Sequence, residues 1–209
     1  IYRDVKTYGD GFIFGKHTYV ANNQNNGGVF DVNVGNSDYY AYLKGINTFA
    51  NPEAVDINVF ATPGINFFDH SSLVSQAVDI IENDRADSIY ICTTPDYNMF
   101  VPTPGDTADM IYPQEAVDNL ETTGIDSNYT ATYYPWVLTR DTVNNTQIYI
   151  PATAEVTRNL ALTDNIAFPW FAAAGYTRGV VNAIKARKKL TQEDRDTLYQ
   201  GRINPIATF

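Results

Sequence analysis

The feature that most constrains the fold is a strand–helix–strand pattern over residues 52–93. Residues 55–59 alternate between apolar and polar, which predicts a strand with one solvent-exposed face, and Pro63-Gly64 predicts a turn. Either serine of residues 71–72 could cap a helix, and residues 88–93 form an apolar run typical of a strand buried on both faces. Two strands joined by a helix predict a right-handed, parallel βαβ unit. The apolar face of the predicted helix comprises Leu73, Val74, Ala77, Val78, Ile80 and Ile81.

Further elements continue this pattern toward the C-terminus. Pro113 suits the first position of a helix, and Gly124 marks its end. A strand is predicted over residues 132–138, where an internal proline indicates an edge strand or a bulge, and another strand over residues 147–151. The sequence therefore predicts a mixed α/β domain over residues 51–209, with a βαβ core sheet flanked by helices.

The first fifty residues have a different character, rich in tyrosine, asparagine and turn signals. We expect a β-rich N-terminal segment over residues 1–50, either an insertion or part of another domain. Residues 39–43 could begin a short helix or a strand. The strand candidates in this segment are residues 11–15, 18–20 and 29–34.

The last quarter of the chain carries the most specific pattern. Residues 153–164 read as a helix, in which Val156 and Leu160 lie four apart on one face. The polar pair at residues 163–164 is a plausible end for that helix, because short polar side chains compete for backbone hydrogen bonds. An aromatic-rich loop over residues 168–176 follows.

Two more helices are predicted after this loop. In the first, residues 180–184 supply an apolar face, and residues 185–189 supply a basic C-terminal end favoured by the helix dipole. In the second, Thr191 and Asp194 resemble a capping box, and Gly201 is a suitable terminator.

This ordered set of elements resembles the tail sheath proteins of contractile-tailed bacteriophages of the myovirus type. Thr163-Asp164 matches the family's Arg-Thr-Asp, with Leu162 in place of the arginine. Trp170 and Gly175 match a Trp-x-x-Pro-Ala-Gly segment, although here the proline precedes the tryptophan.

The resemblance extends over roughly residues 52–206. Arg195 matches the family's short third helix, and Asn204-Pro205 matches the Ile-Asn-Pro-Ile segment after it. The missing arginine and the shifted proline indicate a divergent member.

The resemblance implies a structural role rather than an enzymatic one. Copies of a sheath protein form a helical sheath around the tail tube, attach to the baseplate and contract to drive the tube through the host envelope for genome ejection. It implies no cofactor, a location in the virion tail and assembly in the host cytoplasm.

The chain ends in an apolar stretch, where a strand beginning at Ile206 would need a partner beyond residue 209. We therefore expect a fragment of a longer protein, truncated at its C-terminal end, which is monomeric by itself.

Charge is unevenly distributed along the chain. The net charge is −10, but residues 176–209 carry seven basic and three acidic residues, so that residues 1–175 sum to −14. A basic corner on an acidic body could bind copies of itself head to tail, through polar contacts that can rearrange. A solvated helix end is the plainer interpretation, and nucleic-acid contact is less favoured because the rest of the chain is acidic. The basic residues concerned are Lys185, Arg187, Lys188 and Lys189.

Residues that could support catalysis or metal binding are few. Asp69-His70-Ser71 offers an acid, an imidazole and a hydroxyl, but a polar turn and cap explains them better. Asp106 and Asp109 could hold calcium, yet solvated loop carboxylates explain them better. With two histidines and one cysteine, a zinc site is not expected, and no apolar run approaches the ~20 residues of a membrane span.

Two other functions are compatible with the sequence. A carbohydrate- or receptor-binding module would use the tyrosine- and asparagine-rich residues 1–50. A hydrolase would have to depend on His70 and its two neighbours.

Overall fold

The computed structural model describes residues 37–68, 70–95, 112–168 and 170–208. The strands expected within residues 1–36, together with Asp69, Asp106, Asp109 and Pro169, lie outside the described residues. In the described part of the chain, no helix combines the length and apolar character that a membrane span requires. The helices are α1 (Ser37–Asn47), α2 (Ser71–Asp79, continued by a π-helical segment, Ile80–Arg85), α3 (Pro113–Thr123), α4 (Ala152–Ile166), α5 (Gly175–Arg178) and α6 (Gln192–Gln200). The strands are β1 (Val59–Asn66), β2 (Ile89–Thr93), β3 (Thr130–Tyr134), β4 (Val137–Asp141), β5 (Thr146–Ile150), β6 (Lys185–Ala186) and β7 (Asn204–Pro205).

Two sheets organise these elements. The larger has the order β1-β2-β3-β7, and each neighbouring pair is parallel. The smaller has the order β5-β4-β6, and both pairs are antiparallel. The predicted α/β class and the parallel strand–helix–strand unit are therefore confirmed.

Helices cover both faces of the larger sheet. Phe60 is in register with Tyr90, and Tyr90 and Cys92 share one face, where they join the core formed with α1 and α2. Thr93 points to the opposite face, and its hydroxyl lies 3.0 Å from the hydroxyl of Thr153 on α4. Helices α1 and α2 thus lie on one side of the sheet and α4 on the other.

The core of the βαβ unit follows from its apolar pattern. Ile46 of α1, Leu73 and Ile81 of the α2 segment, and Tyr90 of β2 are all buried in one cluster. The predicted apolar face of α2 is confirmed, except that Val78 is only half-buried. Residues 39–43 belong to α1, so the expected β-rich character does not hold for residues 37–47.

The start of the βαβ unit differs from expectation in two places. Strand β1 begins at Val59, and Pro63 and Gly64 lie within it rather than in a turn. The register between β1 and β2 shifts between Ala61 and Asn66, so this irregularity accommodates the proline and a glycine at φ +90°. The residue preceding α2 is His70, which makes no side-chain cap, so the predicted serine cap is wrong.

The strand predicted over residues 132–138 is two strands. Pro135 interrupts it, and the peptide bond between Tyr134 and Pro135 is cis. Residues before the proline form β3 of the larger sheet, and residues after it form β4 of the smaller sheet. A proline that donates no backbone hydrogen bond is suited to this change of sheet.

The basic helix predicted over residues 180–189 is absent. Helix α5 ends at Arg178, and Gly179 and the β-branched Val180 and Val181 favour helix poorly. The chain instead extends along β4, where the Ile184 N–H donates to Leu138 O at 2.8 Å. Strand β6 then pairs antiparallel with β4, and Ala186 is buried.

The end of α4 and the start of the last strand lie within two residues of the predicted positions. Helix α4 continues two residues past Asp164, to Ile166. No strand begins at Ile206. Strand β7 covers Asn204–Pro205, just before it, and pairs with β3, and the Ile206 N–H donates to Tyr134 O at 2.7 Å.

The sequence correctly predicted where α3 and α6 begin and end. Pro113 opens α3, and Gly124 follows its end at φ +67°. The Thr191 side chain and the Asp194 side chain each accept a backbone N–H of the other, so the capping box is confirmed, as is Gly201 at the end of α6.

Candidate functional site

The predicted basic contact lies on and just after β6. Lys185 and Lys189 are exposed, whereas Arg187 is half-buried, with its guanidinium 3.9 Å from the centre of the Tyr149 ring. The backbone N–H of Arg187 donates to Trp136 O at 2.8 Å. This arginine therefore contributes to the attachment of the β6 segment as well as to the local charge.

Lys188 also has partners within the chain. Its Nζ lies 3.8 Å from the carboxylate of Asp194 and 4.6 Å from the centre of the Tyr112 ring. Arg187 and Lys188 are therefore half-buried and have partners within the chain, whereas Lys185 and Lys189 are exposed.

Four family-like residues lie at the end of α4 and beyond it. Thr163 is buried and its hydroxyl donates to Asn159 O at 2.9 Å, while Asp164 is exposed. Gly175 opens α5 at φ +73°, a conformation in which other residues are strained. Trp170 lies in the intervening loop. The structure therefore gives Thr163 and Gly175 local structural roles and leaves Asp164 and Trp170 on the surface.

The other family-like residues lie at β7 and on α6. Asn204 Nδ2 donates to Thr132 O at 3.1 Å, and Pro205 is in register with Tyr134. Arg195 is half-buried on α6. Asn204 and Pro205 attach β7 to β3, and a role of these three residues in contacts between copies stays a prediction.

An exposed aromatic cluster, which we call the knob, comprises Phe168, Trp170 and Phe171. The rings of Phe168 and Trp170 stack with centroids 4.7 Å apart, and Phe171 meets Phe168 edge to face at 5.5 Å. The Arg178 guanidinium lies 5.3 Å from the Phe171 ring, and its Nε donates to Ala172 O. Trp170 is nonetheless 74% exposed. The knob is therefore shaped by its own contacts and presented to solvent.

Exposed apolar side chains are concentrated in the stretch of chain that contains the knob. A soluble monomer seldom exposes many neighbouring large apolar residues unless the surface has a partner. This finding differs from the polar contacts that we expected from charge alone. Between residues 162 and 184 the exposed members are Leu162, Ile166, Phe168, Trp170, Phe171, Tyr176, Val180 and Ile184.

A buried carboxylate anchors the loop that follows the knob. Glu155 on α4 is buried, and its Oε2 accepts the backbone N–H of Asn182 at 3.2 Å. The same oxygen accepts from Arg158 at 3.3 Å. The bond to Asn182 attaches the loop after the knob to α4, the helix on the face of the sheet opposite α1 and α2.

The residues considered for catalysis have structural positions. His70 is buried, and its Nδ1 accepts the backbone N–H of Asn66 at 3.3 Å. Burial raises the pKa of the Cys92 thiol to about 12, so that it stays protonated and unreactive. In the described residues, no three His, Cys, Asp or Glu side chains gather as metal ligands would.

Sequence reasoning missed the knob as a surface feature. Its aromatic residues were noted only as part of a loop, because large aromatic side chains are usually buried and their exposure depends on the fold. Nothing in the sequence of residues 165–190 distinguishes these aromatic side chains from core residues.

Comparison with known proteins identifies the family. The family model for the central domain of phage tail sheath proteins matches residues 32–209. The chain is 30% identical to the tail sheath protein of Enterobacteria phage T4 over 174 residues, which cover 76% of this chain and 25% of that protein. It is 27% identical to the tail sheath protein of Vibrio phage KVP40 over 205 residues, which cover 88% of this chain and 29% of that protein. The chain thus spans between a quarter and a third of the length of these relatives. It belongs to the phage tail sheath protein family, as a divergent member that matches the family's central domain.

Proposed function

We propose that this chain is the central part of a subunit that polymerises into a contractile sheath. Copies pack helically around the tail tube, attach to the baseplate and move from an extended to a contracted arrangement. That contraction drives the tube through the host envelope for genome ejection. The assembled sheath lies in the virion tail, after assembly in the host cytoplasm.

The match of residues 32–209 to the sheath central domain carries this proposal. The exposed apolar surface around the knob supports it, because a subunit held only by its neighbours needs surfaces that are covered in the assembly. The unequal charge of the two parts of the chain supports contact between unlike surfaces. The carbohydrate- or receptor-binding alternative is not favoured, since both relatives are tail sheath proteins.

Contraction of such a sheath needs no nucleotide at the subunit if the energy is stored during assembly. The rearrangement is a rigid-body movement of subunits about their interfaces. On this account the chain acts as a mechanical element rather than as an enzyme.

A gene replacement tests the proposed function. A phage that lacks the gene for this protein should assemble heads and tail tubes but should show bare tubes in electron micrographs, with no genome delivery. Supplying the protein in trans should restore a sheath that shortens on contact with host cells. Tails with an intact sheath in the deletion strain would contradict the proposal.

A further inference from the structure

A cavity of about 420 Å³ opens to solvent between α1 and β1. Its wall includes the aromatic rings of Tyr42, Phe49 and Phe60, and the side chain of Ile65. Gly45 also borders it, and no atom lies within 4 Å of the position that a Cβ would occupy there. We call this cavity the α1–β1 pocket. It has the size and the apolar lining of a site for one or two aromatic side chains.

The knob is the complementary shape on the same chain. Phe168 and Trp170 stack into a single flat unit, and Arg178 supports Phe171 beside them. Because the rings already hold one another in place, little side-chain freedom is lost when they dock. Exposed aromatic residues of this kind are the commonest anchors of protein interfaces.

The stretches of chain that carry the two surfaces have opposite net charge. Residues 165–190, which contain the knob, carry five basic residues and no acidic one. Residues 37–89, which form the pocket and the helix packed beside it, carry eight acidic and two basic residues. Glu53 and Asp56, on the segment that joins α1 to β1, are exposed. Opposite charge therefore favours the approach of a knob to a pocket and disfavours the approach of two knobs.

The knob is not docked in the pocket of its own copy, because Trp170 is 74% exposed. The pocket includes Phe60 on the sheet face covered by α1 and α2, whereas α4 covers the opposite face through Thr153. The loop after the knob is fixed to α4 through Glu155 and Asn182. A surface on one face that fits a different surface on the other face joins copies head to tail. Repetition of such a contact gives a ring or an open helical series.

We propose that the knob of one copy inserts into the α1–β1 pocket of a second copy, and that this is a lateral or longitudinal contact of the assembled sheath. The inference depends on the proposed sheath function and names the surfaces that its subunits use. Trp170 is the anchor, and Lys185 and Lys189 are the cations that face the acidic surface of the neighbour.

Cross-linking within assembled protein tests this contact directly. Ala172 lies beside the knob and Ala41 borders the pocket, and both are exposed. A protein with both Ala172→Cys and Ala41→Cys should give a ladder of covalent multimers with a short bismaleimide, while each single variant should not. The buried Cys92 thiol does not compete, since its pKa is raised to about 12.

One substitution in the knob and one in the pocket, each with a control, test how much the contact contributes to assembly. Trp170→Ala should raise the protein concentration needed for assembly at least about tenfold, whereas Tyr199→Ala, which removes another exposed aromatic ring, should leave it unchanged. Gly45→Leu should impair assembly by filling the pocket, whereas Gly45→Ala leaves room for the knob. Thermal unfolding of each variant checks that the fold is intact.

A mixture of the two impaired variants gives the sharpest result. Trp170→Ala keeps a pocket and Gly45→Leu keeps a knob, so equal amounts should form dimers by sedimentation although neither extends alone. Cylinders that form normally from Trp170→Ala, without cross-links in the double cysteine variant, would overturn the contact and leave the sheath function standing. Failure of the unmodified full-length protein that contains this chain to form cylinders would instead contradict the proposed function, and this contact with it.

Discussion

The carboxylate of Glu155 accepts the backbone N–H of Asn182, 27 residues further along the chain, at 3.2 Å. This bond joins α4 to an irregular segment whose own side chains are largely exposed. A buried carboxylate on a helix is thus used to hold backbone that has no strand partner of its own.

Loss of the Glu155 acceptor should release this segment. Glu155→Ala should cost about 1–3 kcal/mol of unfolding free energy, because it removes a buried charged acceptor. Hydrogen exchange at the Asn182 amide should accelerate in this variant. Glu155→Gln keeps an acceptor oxygen and should retain most of the protection; equal exchange rates in both variants would show that the bond does not hold the segment.

Arg85 should be the most sensitive cation in the βαβ unit. Its guanidinium side chain is fully buried; Nη1 donates to Phe49 O at 2.8 Å, and Nε donates to Asp87 at 2.9 Å. Arg85→Ala should therefore lower the unfolding free energy by about 2–3 kcal/mol in urea denaturation. Arg85→Lys should retain only part of this unfolding free energy, because an ammonium lacks the planar set of N–H donors of a guanidinium.

The exposed Arg140 provides a matched control for Arg85. Arg140→Ala should change the unfolding free energy by less than about 0.5 kcal/mol. An equal loss of unfolding free energy at both positions would mean that the buried hydrogen bonds of Arg85 do not contribute to stability.

The capping box of α6 should make stability depend on pH. The backbone N–H of Thr191 and the nearby Lys188 hold the pKa of Asp194 below its ordinary value of 3.8. A depressed pKa contributes stability that is present above 3.8 and is lost as pH falls through the lower folded value.

Asp194→Asn isolates that contribution. Near neutral pH the unmodified protein should unfold at a higher temperature than this variant, and the difference should shrink in acid well below pH 3.8. Asp196→Asn, which removes an exposed acid of the same helix outside the capping box, is the matched control. A difference that stays constant down to strong acid would contradict the assignment.

Two glycines should respond oppositely to the same substitution. A Cβ at Gly201 would lie 2.3 Å from a methyl carbon of Val117, so Gly201→Ala should destabilise by about 1–3 kcal/mol. Gly45 is inside α1 with open space around it, so Gly45→Ala should stabilise by up to about 1 kcal/mol. Addition of Val117→Ala should relieve part of the strain at position 201, and chemical denaturation measures all three effects.

The elements that the sequence predicted well are those with local signals. Pro113 and Gly124 mark both ends of α3, and Thr191 with Asp194 marks the start of α6. Strand β2 was predicted from a short apolar run that is buried in the sheet. In each case the residues that determine the element lie within it or directly beside it.

The elements that the sequence did not predict depend on distant partners. Lys185 and Ala186 form a strand only because β4 offers an edge, and β4 exists because Pro135 ends β3. The exposure of Trp170 is likewise a property of the whole fold, since nothing in its immediate sequence distinguishes it from a core residue.

Electron microscopy of the full-length sheath protein that contains this chain, purified alone, tests the central claim most directly. A tail sheath subunit should assemble without other tail components into long, hollow, striated cylinders. Dispersed particles alone, across a range of salt concentrations, would contradict the account.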